Sequence, residues 1–171
     1  MIREADEVME FHCPRYEELP DMELYLDQIL RYVGRVIRPL SDAPDKMLIT
    51  GPMINNYIKN GALKSPNRKK YNKEHLCRII VISLLKPVFS IHDIRRFFEI
   101  QQKYYPLETA YNYFCTEFEN ALKEAFRFTG LPLPAVETKR TEQTVLLRAI
   151  VLSVSNHIYV KSVLSFIPKE N

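Results

Sequence analysis

The chain is poor in glycine. Only four of its 171 residues are Gly, and several long stretches lack both Gly and Pro, which excludes a many-turned β fold and favours helices. Cysteine is scarce too: Cys13, Cys77 and Cys115 are scattered and odd in number. That excludes a disulfide framework and fits a reducing cytoplasm. No basic stretch followed by an apolar one opens the chain, so secretion is not expected. The longest uncharged apolar-rich run, Ala149 to Val160, is interrupted by Asn156 and His157. A membrane span needs roughly 20 consecutive apolar residues, so no membrane partner is expected and the location is read as cytoplasmic. There is no internal repeat, low-complexity tract, nucleophile elbow or phosphate loop. The chain is therefore read as no enzyme, with no catalytic residues and no cofactor.

What is present is ordinary globular material, 46% apolar and 26% charged, enough for one domain with a core or a small head with a helical extension. The charge is strongly segregated behind a net +3. Residues 1–45 hold 5 basic and 11 acidic side chains, whereas residues 46–86 hold 9 basic ones and a single acid, Glu74. Such segregation points to a polyanionic partner for the middle segment, with a merely solvated basic face as the bland reading.

The pattern predicts a mostly helical chain. The first twenty residues read as irregular. Asp21 caps a helix to about Ile37, with Leu26, Ile29, Leu30, Val33 and Ile37 on one face; Pro39 stops it and Ser41–Pro44 forms a loop. A short helix follows Thr50 and Gly51 and ends at Gly61, a natural left-handed terminator. KSPNRKKY has turn chemistry. Asn72 caps the next helix, which ends before Pro87. Ser90 with Asp93 opens another, and a further one begins near Pro106 with Leu107, Tyr111, Phe114, Phe118 and Leu122 at helical spacing. Gly130 and LPLPAVE break the chain before a last element, Thr141 to Phe166, apolar nearly all round. Its length without Gly or Pro makes it a helix.

The order helix, Gly-ended short helix, basic turn, helix, Ser-capped helix is what a winged helix-turn-helix needs. ITGPMINNYIKNGAL resembles the recognition helix of the MerR family, with Ile54, Tyr57, Gly61 and Leu63 in matching places. RKKYNKEHLCRIIVISLLK is similar to the wing and the helix behind it, with Tyr71, Leu76 and Ile79 in register. VFSIHDI resembles the following signature, with Val88 where that family usually has Gly. The chain also resembles a group of bacterial proteins grouped as a domain of unknown function with a MerR-like head, which carry a very similar MINNYIKNG string. The MerR likeness covers roughly residues 47–100 and departs at Asn55, where MerR heads usually carry an Arg that clamps phosphate. No metal-sensing cysteine follows Cys115.

The residues of the short helix agree with that likeness. With Ile54, Tyr57 and Ile58 inward, Asn55, Asn56, Lys59 and Asn60 face outward. Asn can read adenine and Lys can approach guanine or phosphate. Base contact and simple capping stay level for Asn55 and Asn56; for Asn60, beside Gly61, capping is the better reading. Lys64, Arg68, Lys69 and Lys70 are read as phosphate contacts on the wing, in a turn with no acid to pair with, and Tyr71 packs at its base. His12 beside Cys13, and His75 near Cys77, lack a second pair at ligand spacing, so no metal site is read. Tyr104, Tyr105, Tyr111, Tyr113, Phe114 and Phe118 read first as core and second as the lining of an effector pocket.

The expected fold is all-α with minor β in the wing: an acidic N-terminal segment and helix over 1–45, a MerR-like winged helix-turn-helix head over 46–103, and a C-terminal helical bundle over 104–171. MerR-type regulators are dimers, so a homodimer is expected through the region after Pro106, using Val145, Leu146, Ile150, Val151, Val154, Ile158 and Val163. The expected function is sequence-specific binding of double-stranded DNA in transcriptional regulation, with an unidentified small-molecule effector as a further partner. The rival is a protein-interaction module that kept the winged-helix shape, its acidic first 45 residues covering the basic face as a mimic of DNA.

Overall fold

The computed structural model describes residues 2–41, 47–127 and 139–166. Within them lie seven α-helices: α1 Ile2–Met9, α2 Leu26–Ile37, α3 Gly51–Lys59, α4 Lys73–Leu85, α5 Ile91–Tyr104, α6 Leu107–Phe126 and α7 Glu142–Phe166. Asp42–Pro44 of the expected loop, Gly130 and the LPLPAVE segment lie outside the described residues. No described helix is long and apolar enough to cross a membrane.

The helix starts follow local capping chemistry. Thr50 accepts from Met53 N–H at 3.4 Å, Asn72 from His75 N–H at 3.2 Å, and Ser90 from Asp93 N–H at 3.2 Å, each satisfying a donor that the first turn would otherwise leave unpaired. The N-terminus departs from expectation twice. Residues 2–9 are helical, not irregular, because α1 has α6 to lean on and Val8 and Phe11 enter the core. Asp21 does not cap α2; it forms an ion pair with Lys73. Residues 23–25 stay out of the helix, where Leu24 pairs with Tyr71, each accepting the other's N–H at 2.8 Å.

The core is one cluster of buried side chains running from Val8 to Val154. At its centre is α4, where every residue from His75 to Ile82, then Leu84 and Leu85, is buried. It packs against α2, α5 and α7. A helix apolar nearly all round needs such company. Phe11 meets Phe118 edge-on at 5.9 Å between ring centres, and Phe114 stacks on Phe118 at 5.8 Å, so the arm before α2 is sewn into α6.

The last helix, α7, lies along α6 and buries Leu147, Val151, Val154 and Ser155. Arg148 ties it there, reaching the buried carboxylate of Glu117 at 3.4 Å and also Glu124. Two residues of the expected dimer face, Val151 and Val154, are thus consumed inside the protomer by α6. Val145, Leu146, Val160 and Leu164 remain exposed.

Candidate nucleic-acid interface

The helix α3 places its side chains by periodicity. Ile54 and Tyr57 are buried and Ile58 is half-buried, while Asn55, Asn56 and Lys59 are exposed. Burial pushes the Tyr57 hydroxyl up to about 12, so the ring serves as a neutral anchor. Asn60 caps the C-terminus and Gly61 follows at φ +72°, a conformation that L side chains adopt only with strain. Ala62 and Leu63 N–H then both donate to Tyr57 O, at 3.0 and 3.2 Å. This exit turns the chain sharply toward the basic segment.

That segment closes in a tight turn. Lys70 N–H donates to Asn67 O at 2.8 Å, and the two residues between, Arg68 and Lys69, have φ +46° and +63°. Positive φ at both central positions is the pattern of a type I′ turn, where Asn-Gly is the favoured pair. Two long cationic residues here cost roughly 1–2 kcal/mol each relative to ordinary backbone. The expected β structure of the wing is reduced to two isolated bridges, Asn67 with Lys70 and Leu24 with Tyr71; among the described residues there is no strand. The turn is too short to build a ribbon, and Tyr71 finds its partner in the segment before α2. Tyr71 is buried, edge-on to the His75 ring at 5.4 Å.

The candidate contacts fall into two groups. Asn55, Lys59, Arg68 and Lys69 are exposed and have no side-chain partner among the described residues. The others are engaged. Asn56 Oδ1 accepts from Asn60 Nδ2 at 2.9 Å, which uses one of the oxygen's two lone pairs and ties the amide to the helix end. Lys70 Nζ sits 5.8 Å from the Tyr25 ring centre. Lys64 corrects the expectation of a turn without an acid: its Nζ lies 3.1 Å from Glu74 Oε1, because capping by Asn72 brings the first turn of α4 beside the strand-like entry to the turn. Burial disfavours the Glu74 charge, yet Lys64 and then Arg78 outweigh it and hold the carboxyl below its usual range.

The acidic arm meets the basic segment at Asp21, which pairs with Lys73, while others of its acids are engaged elsewhere. Glu119 of α6 holds Arg15 with both carboxylate oxygens, at 2.7 and 2.8 Å, and accepts from Cys13 N–H at 2.8 Å. Glu17 accepts from Asn112 and Glu18 from the Arg15 N–H and His12. These acids are spent on α6 and on the arm itself. Two further residues stand beside the interface: Tyr25 under Lys70, and Arg95 of α5, whose Cδ would lie 3.5 Å from a side chain at Gly61. Both come from distant parts of the chain and carried no local signal.

Residues 38–50 separate α2 from α3, whereas a simple helix-turn-helix joins its helices by roughly three or four residues. The three cysteines are buried thiols, and among the described residues no group of three or more His, Cys, Asp or Glu is placed to hold a metal ion. Of the aromatic stripe, Tyr111, Phe114 and Phe118 are core, while Tyr104 is exposed. Residues 14–114 match the family described as Domain of unknown function (DUF1836), a stretch that contains the whole interface and ends inside α6. No curated protein and no solved structure matches the chain.

Proposed function

Because the chain belongs to the DUF1836 family, whose name carries no activity, we propose a function from the interface itself: a MerR-like, sequence-specific binder of double-stranded DNA that acts in transcriptional regulation. One observation carries this reading. Arg68 and Lys69 are exposed on a strained turn, without a side-chain partner among the described residues, a short way along the chain from α3 and its exposed Asn55 and Lys59. Strain kept at an exposed cationic tip, where Asn-Gly would relieve it, fits a selected contact with a polyanion. In this arrangement α3 lies in the major groove and the turn reaches a neighbouring phosphate. Asn55 is the base reader; Asn56 supports the helix end. The reading is of a binding protein, not an enzyme, working in the cytoplasm.

The protein acts as a homodimer through α7. The exposed Leu146, Val160 and Leu164, with half-buried Val163, lie on one outward stripe near heptad spacing, the spacing of a two-helix seam. Light scattering at micromolar concentration checks the dimer, and a monomer there sinks it. Enrichment of bound sequences from a random DNA pool checks the main reading. The expected result is a defined motif whose recognition Asn55→Ala weakens by about 1–3 kcal/mol, with little loss on random DNA. Absence of any enriched motif would move the interaction-module reading ahead. The long α2–α3 connection and the partners already held by Lys64 and Asn56 favour that second reading.

A further inference from the structure

Between them, α4, α5 and α6 leave a narrow cleft with an open space of about 50 Å³. Its walls are apolar and aromatic: Val81, Phe97, Phe98, Leu107, Phe114 and the Tyr111 ring. Polar groups are few and unbalanced. Gln101 Nε2 is a buried donor with no hydrogen-bond partner, which costs free energy unless something accepts from it. Arg78, only 8% exposed, lays its guanidinium 4.9 Å from the Phe98 ring centre. Arg78 donates to Glu74 through Nε at 3.3 Å, and among the described residues its two terminal amino groups make no hydrogen bond to an acid. Among the described residues that line the cleft there is no Asp or Glu.

We propose that this cleft is a binding site for a small hydrophobic carboxylate. The apolar walls take the body of the ligand. Its carboxylate accepts from Arg78 and from Gln101 Nε2, the second of which has no partner among the described residues. Aromatic walls with a few polar groups are the chemistry of a small-molecule site, in a space well below the roughly 300 Å³ at which such sites usually begin, and a guanidinium is suited to bidentate carboxylate recognition. The space is short, so the body is no larger than a phenyl group, and it enters as the half-buried Phe98 ring gives way. The site stands independently of DNA binding, but it is wired toward the turn. Arg78 shares Glu74 with Lys64, at 3.3 and 3.1 Å, so an anion that draws Arg78 into the cleft leaves Glu74 to Lys64 alone.

The test uses the full chain without DNA and follows its amide resonances during titration with phenylacetate, and separately with neutral phenylacetamide. Saturable shifts in α4, α5 and α6 are expected with the acid, with binding of the amide about tenfold weaker or more, since a charge-assisted contact is lost. The shifts should extend to Glu74 and Lys64. Gln101→Leu should weaken the acid several-fold. Ala110→Leu fills the cleft from a half-exposed lining position and should abolish binding while leaving the melting temperature unchanged or higher. No saturable shift with the acid, equal binding of acid and amide, or undiminished binding to Ala110→Leu would each overturn the proposal. Since DNA is absent throughout, that failure leaves the DNA reading untouched, and a failure to bind DNA leaves this result standing.

Discussion

Two charged stretches of this protein are held in opposite ways. In the arm, Arg15 and the acids Glu17 and Glu18 meet Glu119, Asn112 and His12, and the contacts reach across to α6. In the turn, Arg68 and Lys69 have no side-chain partner among the described residues and sit on strained backbone. Ion pairs that span the chain contribute to folding; charges kept apart from any partner contribute nothing to it and cost conformational free energy. The arm's charge belongs to the fold. The turn's charge makes no such contribution.

The largest expected effect comes from breaking the arm. Glu119→Ala removes the acceptor of a part-buried bidentate pair and of Cys13 N–H, and should destabilise the protein by about 2–4 kcal/mol. Urea melts measure it, and a loss below 1 kcal/mol would mean that the arm is merely decorated by its charges. The opposite sign is expected at the turn. Arg68→Asn together with Lys69→Gly puts the favoured pair at the positive-φ positions and should stabilise by about 1–2 kcal/mol. DNA affinity should fall at the same time, and the slope of log affinity against log salt should become shallower by up to about two. A gain in stability with DNA binding intact would detach the strain from function; no gain would remove the strain argument itself.

Acid should release the arm separately from the core. The Glu18 carboxyl is held below its usual range, first by the Arg15 N–H and then by His12. A depressed carboxyl stabilises the folded state above its ordinary pKa, and that contribution fades as pH falls through the lowered value. The Cys13 and Tyr16 amide resonances should therefore shift as pH falls through that lowered value, apart from changes in α4 that follow its own His75. Simultaneous shifts would show arm and core to be one unit. The smallest effect is expected for Lys64→Gln. Its ion pair with Glu74 is largely exposed, and such pairs contribute about 0–1 kcal/mol. The change in salt slope should be clearly smaller than that from the paired change at the tip.

The parts legible in the sequence were those governed by local chemistry. Thr50, Asn72 and Ser90 cap their helices because a side-chain oxygen three residues ahead of a free N–H acts locally, and Gly61 ends α3 for a reason contained in one residue. Ile54 and Tyr57 face inward, with Asn55 and Lys59 outward, as the helical period requires. What escaped was set by partners far along the chain. The α1 helix is too short to hold alone and depends on α6. Asp21 gave up its capping role to pair with Lys73, and Lys64 found Glu74 only once the turn had folded. Periodicity could not divide α7 either: a helix apolar on every side does not say which side α6 takes.

Leu24 and Tyr71 exchange both of their backbone hydrogen bonds, at 2.8 Å each, across a gap that joins the segment before α2 to the base of the turn. Two amides closed by one reciprocal pair cannot open separately. In hydrogen exchange they should behave as a single event, with matching protection, although they lie far apart in sequence. Loosening either side thus unlatches the other. Whatever grips the turn from outside would slow exchange at Leu24 as well, so an amide remote from the tip reports on its occupancy.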